Sequence, residues 1–287
     1  MWAVNDWKDY ELLDCSDGQR LERWGTYLLI RPDPQVIWRG DKKHPGWGKA
    51  DAVYTRSSHG GGAWNENRLP EEWKISYGSL RFSIRPMGFK HTGLFPEQAV
   101  NWNWMSDLIR SADRPVRLLN LFAYTGGATV AAASAGASVC HVDASRGMVQ
   151  RAKENAALSG LSDKPIRYIV DDCVKFCERE IRRGSRYEAI VMDPPSYGRG
   201  PNGEKWTLEE QIDGLVTLTS RLLSDRSLFF LLNSYTTGLS PSTMGYLLQK
   251  TLCPRYGGTV VSDEVGLPVT ASGGVLPCGA ASRWIAP

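Results

Sequence analysis

A chain of 287 residues, 42% hydrophobic and 23% charged, has an ordinary globular composition, and its length allows one large domain or one of ordinary size with a small companion. No apolar run approaches the length of a membrane span, and Met1 to Asp9 has neither a basic region nor an apolar stretch, so neither an anchor nor a secretory signal is expected. A net charge of +3 names no partner, and six cysteines without a C-x-x-C pair read as free thiols in a reducing, cytoplasmic setting.

Residues 1 to about 90 are rich in tryptophan (Trp2, Trp7, Trp24, Trp38, Trp47, Trp64, Trp73). Short strand-like runs stand at Tyr27–Ile30, Val36–Trp38 and Leu80–Ile84, separated by turn signals at Pro32-Asp33-Pro34, Pro45-Gly46 and the glycine loop Ser57–Gly62. This predicts a small β-rich domain over 1–90. Its tryptophans either build its core or offer base-stacking surfaces, and core is favoured for most of them.

From Pro96 the period changes, opening a second domain over 91–287. Glu97–Ile109 reads as an amphipathic helix. Strands over Val116–Phe122, Ser138–Val142, Ile166–Val170, Tyr187–Met192 and Leu228–Asn233 alternate with helices over Ala128–Ala135, Ser145–Leu158, Val174–Arg183, Leu208–Leu223 and Pro241 to about Leu252. Alternation with apolar strands implies an α/β, Rossmann-like fold whose mostly parallel sheet is covered on both faces. Gly258–Trp284 is expected to close the edge as an antiparallel hairpin. Arg179, Arg182, Arg183 and Arg186 read as cations at a helix C-terminus rather than as a nucleic-acid contact. Cys173 and Cys177 share a helical face and read as packing, not zinc ligands; His44, His59, His91 and His141 are scattered, so no metal site is expected.

Open α/β sheets bind ligands at the carboxyl ends of their strands. The first such end here is Phe122-Ala123-Tyr124-Thr125-Gly126-Gly127, a tight glycine turn without the dinucleotide fingerprint, so a pyrophosphate would lose its cradle. The second strand ends at Asp143-Ala144-Ser145, where Asp143 is placed to accept from ribose hydroxyls or to cap the next helix. The third ends at Asp171-Asp172-Cys173, where Asp172 is placed to meet an adenine amine or, again, to cap.

The fourth ends at Asp193-Pro194-Pro195-Ser196-Tyr197. Two prolines remove two N–H donors, a carboxylate only accepts, and the ring offers a flat face. Acceptors beside a stacking ring suit the exocyclic amine of a planar base; the plainer alternative is a turn that stops the strand.

Taken together, Gly93–Gln98, Asn120–Gly127, Val142–Ser145 and Asp193–Gly200, with Leu21–Gly25 and Arg31–Pro34, resemble the S-adenosylmethionine (SAM)-dependent methyltransferases related to bacterial large-subunit rRNA methyltransferases. The resemblance covers nearly the whole chain. It implies a class I methyltransferase fold with a small N-terminal β domain, SAM as cofactor, and RNA, rRNA first, as substrate. SAM has no phosphate and suits the looser turn. The resemblance also implies cofactor contacts from Phe95, Gln98, Asn120, Phe122, Tyr124, Thr125, Gly126, Asp143, Ala144, Ser145, Asp172, Cys173 and Asp193, with Asp193, Pro194 and Tyr197 catalytic. The chain departs from those relatives in three ways: no segment is expected to form their PUA-type RNA-binding module, Ser196 stands where they often carry lysine, and Leu232–Thr237 lacks a cysteine. Carbon-5 of cytosine must be activated by a nucleophile, whereas nitrogen needs none. A nitrogen target is therefore expected, with a small-molecule or protein substrate as the alternative. The oligomeric state is left open, a homodimer being one option.

Overall fold

The computed structural model describes residues 1–287 apart from 58–60, 66–67, 89, 200–204 and 237. Part of the glycine loop, His59, Gly200 and Thr237 therefore lie outside the described residues. The chain divides into two compact units, Met1–Val100 with Gly266–Cys278, and Asn101–Val265 with Gly279–Pro287.

The first unit carries a five-stranded sheet in chain order: β1 (Tyr10–Ser16), β2 (Gln19–Trp24), β3 (Tyr27–Pro32), β4 (Ala52–Arg56) and β5 (Gly62–Asn65). All pairs are antiparallel except β3 with β4. β1 turns into β2 through Asp17-Gly18, both at positive φ (51° and 72°), the twist-matched geometry that an Asp-Gly pair favours. A hairpin of β6 (Trp73–Tyr77) and β7 (Leu80–Ile84) packs Ile75 and Phe82, both fully buried. Trp24 is also fully buried, whereas Trp38 is 41% exposed and most others are half-buried with the indole N–H bonded to a carbonyl or carboxylate. The core reading thus holds for Trp24 and fails for Trp38. Val36–Trp38 is not a strand; Val36 is buried and Ile37 and Trp38 point outward in irregular backbone. Three apolar residues are too few to define a period.

Inside this unit lies a buried ionic cluster. Glu22 accepts from Arg31 Nε at 2.6 Å, Arg31 Nη2 at 2.8 Å and the Tyr10 hydroxyl at 2.8 Å, with Arg20 Nε at 3.4 Å. Burial pushes the Glu22 carboxyl up, but Arg20 and Arg31 overcome it and hold the pKa at about 2.

The second unit is built on a seven-stranded sheet. Its strands are β8 (Arg117–Leu121), β9 (Ser138–Asp143), β10 (Ile166–Val170), β11 (Ala189–Met192), β14 (Phe229–Ser234), β15 (Thr259–Pro268) and β16 (Val275–Ile285), in the order β10-β9-β8-β11-β14-β16-β15. β10 to β14 run parallel and β16 is antiparallel to β14, as the expected edge hairpin requires. A small hairpin, β12 (Tyr197–Arg199) and β13 (Lys205–Thr207), follows β11. The helices are α1 (Ala99–Ser111), entered through a 3-10 turn at Pro96–Gln98, α2 (Gly127–Ser134), α3 (Arg146–Leu158), α4 (Cys173–Arg182), α5 (Leu208–Ser220) and α6 (Pro241–Tyr256). Each matches an expected helix; α6 runs four residues past Leu252, with Pro254 inside it.

The core joins strand residues Leu121, Val142, Ile190 and Phe230 to Phe176 and Cys177 of α4 and Leu248 of α6. Cys173 and Cys177 are both buried there, so their shared face is a packing face. Among the described residues no helix is long and apolar enough to cross a membrane, and no three metal-ligating side chains converge.

Candidate active site

The chain builds outward from β8 through β9 to β10 on one side, then crosses to β11 on the other. The switch point therefore lies between β8 and β11, where open α/β sheets bind their ligands, at the carboxyl ends of the strands.

The loop after β8 is strained. Phe122 (φ 55°) and Tyr124 (φ 50°) are left-handed although neither is glycine, and Gly126 follows at 83°. Each such non-glycine residue costs roughly 1–3 kcal/mol and persists only where its surroundings over-determine it. They do so here. The Phe122 N–H donates to Cys173 Sγ at 3.3 Å, the Ala123 N–H to the Val142 carbonyl at 3.1 Å, and the Tyr124 N–H to Asp143 Oδ2 at 2.8 Å. Asn155 Nδ2 holds the Thr125 carbonyl at 2.8 Å. The two glycines let helices close in: a Cβ on Gly126 would stand 2.8 Å from Ala152 Cβ, and one on Gly127 would stand 2.7 Å from the Trp102 ring.

At the end of β9, Asp143 joins two loops. Oδ2 takes the Tyr124 N–H and Oδ1 takes the Ser145 N–H, also at 2.8 Å. Burial raises the Asp143 pKa above the ordinary carboxylate value, and these two N–H groups pull against it. Each oxygen keeps one lone-pair direction for a further donor. Ala144 and Ser145 are exposed beside it, and Ser145 precedes α3 without a side-chain cap of its own.

Beneath the loop runs a buried polar chain. Asn120 Nδ2 donates to Thr129 Oγ1 at 2.9 Å, and that oxygen lies 2.9 Å from His141 Nδ1. His141 Nε2 has no partner, and burial alone holds the His141 pKa down to about 3, so the ring is neutral. Thr129 and His141 were not anticipated as site residues. Their signal was a polar side chain in an alanine-rich helix and another in an apolar strand.

At the end of β10, Asp171 pairs with Arg179. Asp172 caps α4, taking the Lys175 N–H at 2.9 Å, and remains exposed. Capping is therefore one of its roles, and its second oxygen is left for another donor. The Cys173 thiol is turned into the sheet, where burial raises its pKa; it links the Phe122 N–H to the end of β9.

At the end of β11, the Asp193 N–H donates to the Leu121 carbonyl at 3.4 Å, bringing the motif beside the β8 loop. The Pro195 carbonyl accepts the Trp206 indole N–H at 2.7 Å, and Ser196 Oγ accepts from the Thr236 hydroxyl at 2.7 Å. The Pro194 carbonyl accepts nothing from the described residues. Tyr197 is 53% exposed. The Phe122 and Trp206 rings stand 5.9 Å apart. At the end of β14, Asn233 Oδ1 takes Asn101 Nδ2 at 3.0 Å, and Asn101 Oδ1 takes Arg283 Nη2 at 2.6 Å. Burial pulls Arg283 down to about 10. Neither Asn101 nor Arg283 carries a motif signal.

The second unit thus brings Asn120, Phe122, Tyr124, Thr125, Gly126, Asp143, Ala144, Ser145, Asp172, Cys173, Asp193, Pro194 and Tyr197 to one edge of its sheet. Phe95 and Gln98 belong to the first unit, where Phe95 opens the 3-10 turn with its ring 5.3 Å from His91 and Gln98 is buried.

A family model of S-adenosylmethionine-dependent methyltransferases matches residues 53–212, and the chain belongs to that family. SAM is its cofactor. A SAM-dependent methyltransferase of Agrobacterium tumefaciens is 39% identical with a TM-score of 0.92, over 99% of this chain and 92% of that one. A Streptococcus mutans protein described as a SAM-dependent methyltransferase shares the fold at 17% identity and a TM-score of 0.74, over 98% of this chain and 76% of its own. Among curated relatives, the ribosomal RNA large subunit methyltransferase K/L of Shewanella frigidimarina is 35% identical over 161 residues, which are 54% of this chain and 22% of that protein. The chain thus matches only about a fifth of that relative's length. The strand-end residues fit SAM: acceptor-only carboxylates end β9 and β10, and the glycine turn has no phosphate cradle.

Proposed function

We propose that this methyltransferase modifies a base of RNA, with ribosomal RNA as the first candidate and a nitrogen as the methyl acceptor. The observation that carries this reading is the Asp193–Tyr197 motif at the switch point: a carboxylate and a Pro194 carbonyl that accepts nothing from the described residues, with an exposed ring three residues on. The names of the aligned K/L relatives support RNA as the substrate class.

Bound SAM supplies an electrophilic sulfonium methyl. Asp143 would accept from its ribose hydroxyls and Asp172 from its adenine amine, while Asn120, Phe122, Tyr124, Thr125, Gly126, Ala144, Ser145 and Cys173 would line it. Asp193 and the Pro194 carbonyl accept from the target amine and aim its lone pair. Tyr197 stacks on the base, which must be unpaired or flipped out of its helix. Transfer to nitrogen needs positioning rather than a protein nucleophile. That agrees with Cys173, whose thiol is buried, held by Phe122 and pushed up by burial. We also propose that residues 1–90 act as a substrate-contacting domain beside a catalytic domain over 91–287, and that the enzyme works in the cytoplasm, where ribosomal RNA is modified.

The test is mass spectrometry of nucleosides from total RNA of a strain lacking this protein and of its parent. The expected result is one missing N-methylated nucleoside, restored by the wild-type gene and not by Asp193→Ala. A missing 5-methylcytidine would overturn the nitrogen assignment, and unchanged nucleosides would overturn the RNA reading in favour of a small-molecule or protein substrate.

A further inference from the structure

Val36–Trp38 is not the strand its apolar residues led us to expect, and the surface of the segment from Val36 to Lys49 is unusual. Ile37 is 86% exposed and Trp38 41% exposed, side by side. Arg39, Lys42, Lys43 and Lys49 follow, against the single acid Asp41; this surplus of three equals the net charge of the entire chain, +3. All four cations are exposed, and Arg39, Lys43 and Lys49 form no ion pair with any described residue.

The backbone here is held in place although its only regular part is the 3-10 turn Pro45–Lys49, capped by His44. The Val36 and Trp38 carbonyls accept from the Gly18 and Asp17 N–H groups at 3.1 Å each, and Ser16 Oγ donates to the Gly40 carbonyl at 3.0 Å. The Trp38 indole N–H donates to the Cys15 carbonyl at 2.9 Å, so the ring is held by its edge. A second ring is held likewise: the Trp47 N–H donates to Asp14 Oδ2 at 2.9 Å, with the Lys42 ammonium 4.5 Å from the ring centre.

We propose that this segment is a docking platform for an unpaired RNA strand, with Trp38 stacking a base and Arg39, Lys43 and Lys49 contacting phosphates. The proposal rests on the RNA reading above and adds where RNA is gripped in the first unit. Edge-held aromatic rings interleaved with exposed cations are what sequence-tolerant binding of single strands needs. A protein partner is the poorer fit, because lysine is depleted from protein interfaces and each lysine here would be desolvated.

The experiment measures binding of a fluorescein-labelled oligouridylate to the full chain by anisotropy, across roughly 50–200 mM salt. Trp38→Ala is expected to weaken binding about tenfold or more with the salt slope unchanged, and Trp38→Phe to recover most of the loss. Arg39→Ala/Lys43→Ala/Lys49→Ala is expected to lower the slope of log affinity against log salt by about 2, at about 0.7 per phosphate contact. S-adenosylhomocysteine affinity stays unchanged in each variant, which excludes misfolding. Wild-type-like RNA binding by Trp38→Ala and the triple variant overturns the platform; if the nucleoside difference persists, the RNA reading stands without it. A wild-type chain that fails to bind the oligonucleotide also overturns the platform, and the nucleoside comparison decides whether the RNA reading falls too. Loss of self-association in Trp38→Ala with RNA binding intact would make the patch an interface between copies and likewise overturn the proposal.

Discussion

The Tyr124 N–H and the Asp143 carboxylate stand 2.8 Å apart, and that bond ties the strained loop after β8 to the end of β9. Asp143 thereby holds a left-handed tyrosine in place, and each of its oxygens keeps one lone-pair direction for a further donor.

Asp143→Ala is expected to weaken S-adenosylhomocysteine binding about ten- to a hundredfold, the range for a hydrogen bond to a charged group. Asp143→Asn keeps an acceptor and loses the charge, so it should fall between. Isothermal titration gives the dissociation constants, and an unchanged constant in Asp143→Ala removes the residue from the cofactor site.

Gly126→Ala places a methyl 2.8 Å from Ala152 Cβ at a φ of 83°. Overpacking of this kind costs about 1–3 kcal/mol, with left-handed strain added. Denaturant unfolding should show that loss, and Gly126→Ala/Ala152→Gly should regain the packing part while leaving the strain.

Glu22→Gln removes the charge between Arg20 and Arg31 and is expected to destabilise by about 3–5 kcal/mol, because the buried Arg31 loses its carboxylate and Arg20 keeps only Asp33, at 3.4 Å. Glu11, paired with Arg23 nearer the surface at 3.1 Å, is the control; Glu11→Gln should stay within about 1 kcal/mol. Equal effects of the two in urea titration would show the buried cluster to be energetically ordinary.

His141 gives a pH signature. Its folded pKa of about 3 lies below the ordinary 6.5, so between those values the unfolded chain takes the extra proton. Its contribution is complete above pH 6.5 and is lost as pH falls toward 3. From pH 7 to pH 5 a group of this kind removes about 2 kcal/mol of stability. His91, held to about 4 mainly by burial and then by Arg31 and Lys90, acts in the same direction. Urea midpoints of wild type and His141→Phe over that window should diverge, the variant losing less; parallel curves would mean that the ring is protonated in the folded state.

The alternation of strands and helices from Pro96 onward was legible because the helices keep a 3.6 period while the parallel strands between them read as short continuous apolar runs. The strand-end motifs were legible for the same reason: once strands are placed, their ends are placed. Val36–Trp38 was misread because three apolar residues have no period. The Glu22–Arg31 and Asn101–Arg283 partnerships could not be read, since each joins residues whose pairing depends on register or on long separation, and no local pattern records it. The packing reading of Cys173 was legible from its helical spacing to Cys177, but its bond from the Phe122 N–H was not, since it joins the first residue of α4 to the loop after β8.

The first unit takes in Gly266–Cys278 as well as Met1–Val100, and Val269 bridges to Leu12 within it. A ribosome that has delivered residue 100 has therefore delivered an unfinished unit, and all of Asn101–Val265 must emerge before the missing piece arrives. The parallel strands of the later-encoded unit can pair before that piece arrives, although this unit in turn waits for Gly279–Pro287, so neither is complete until almost the whole chain has been made. Protease protection of stalled nascent chains would show it: resistance within residues 1–100 should come only after Cys278 has cleared the exit tunnel, and resistance at shorter lengths would show that the first unit closes without its borrowed hairpin.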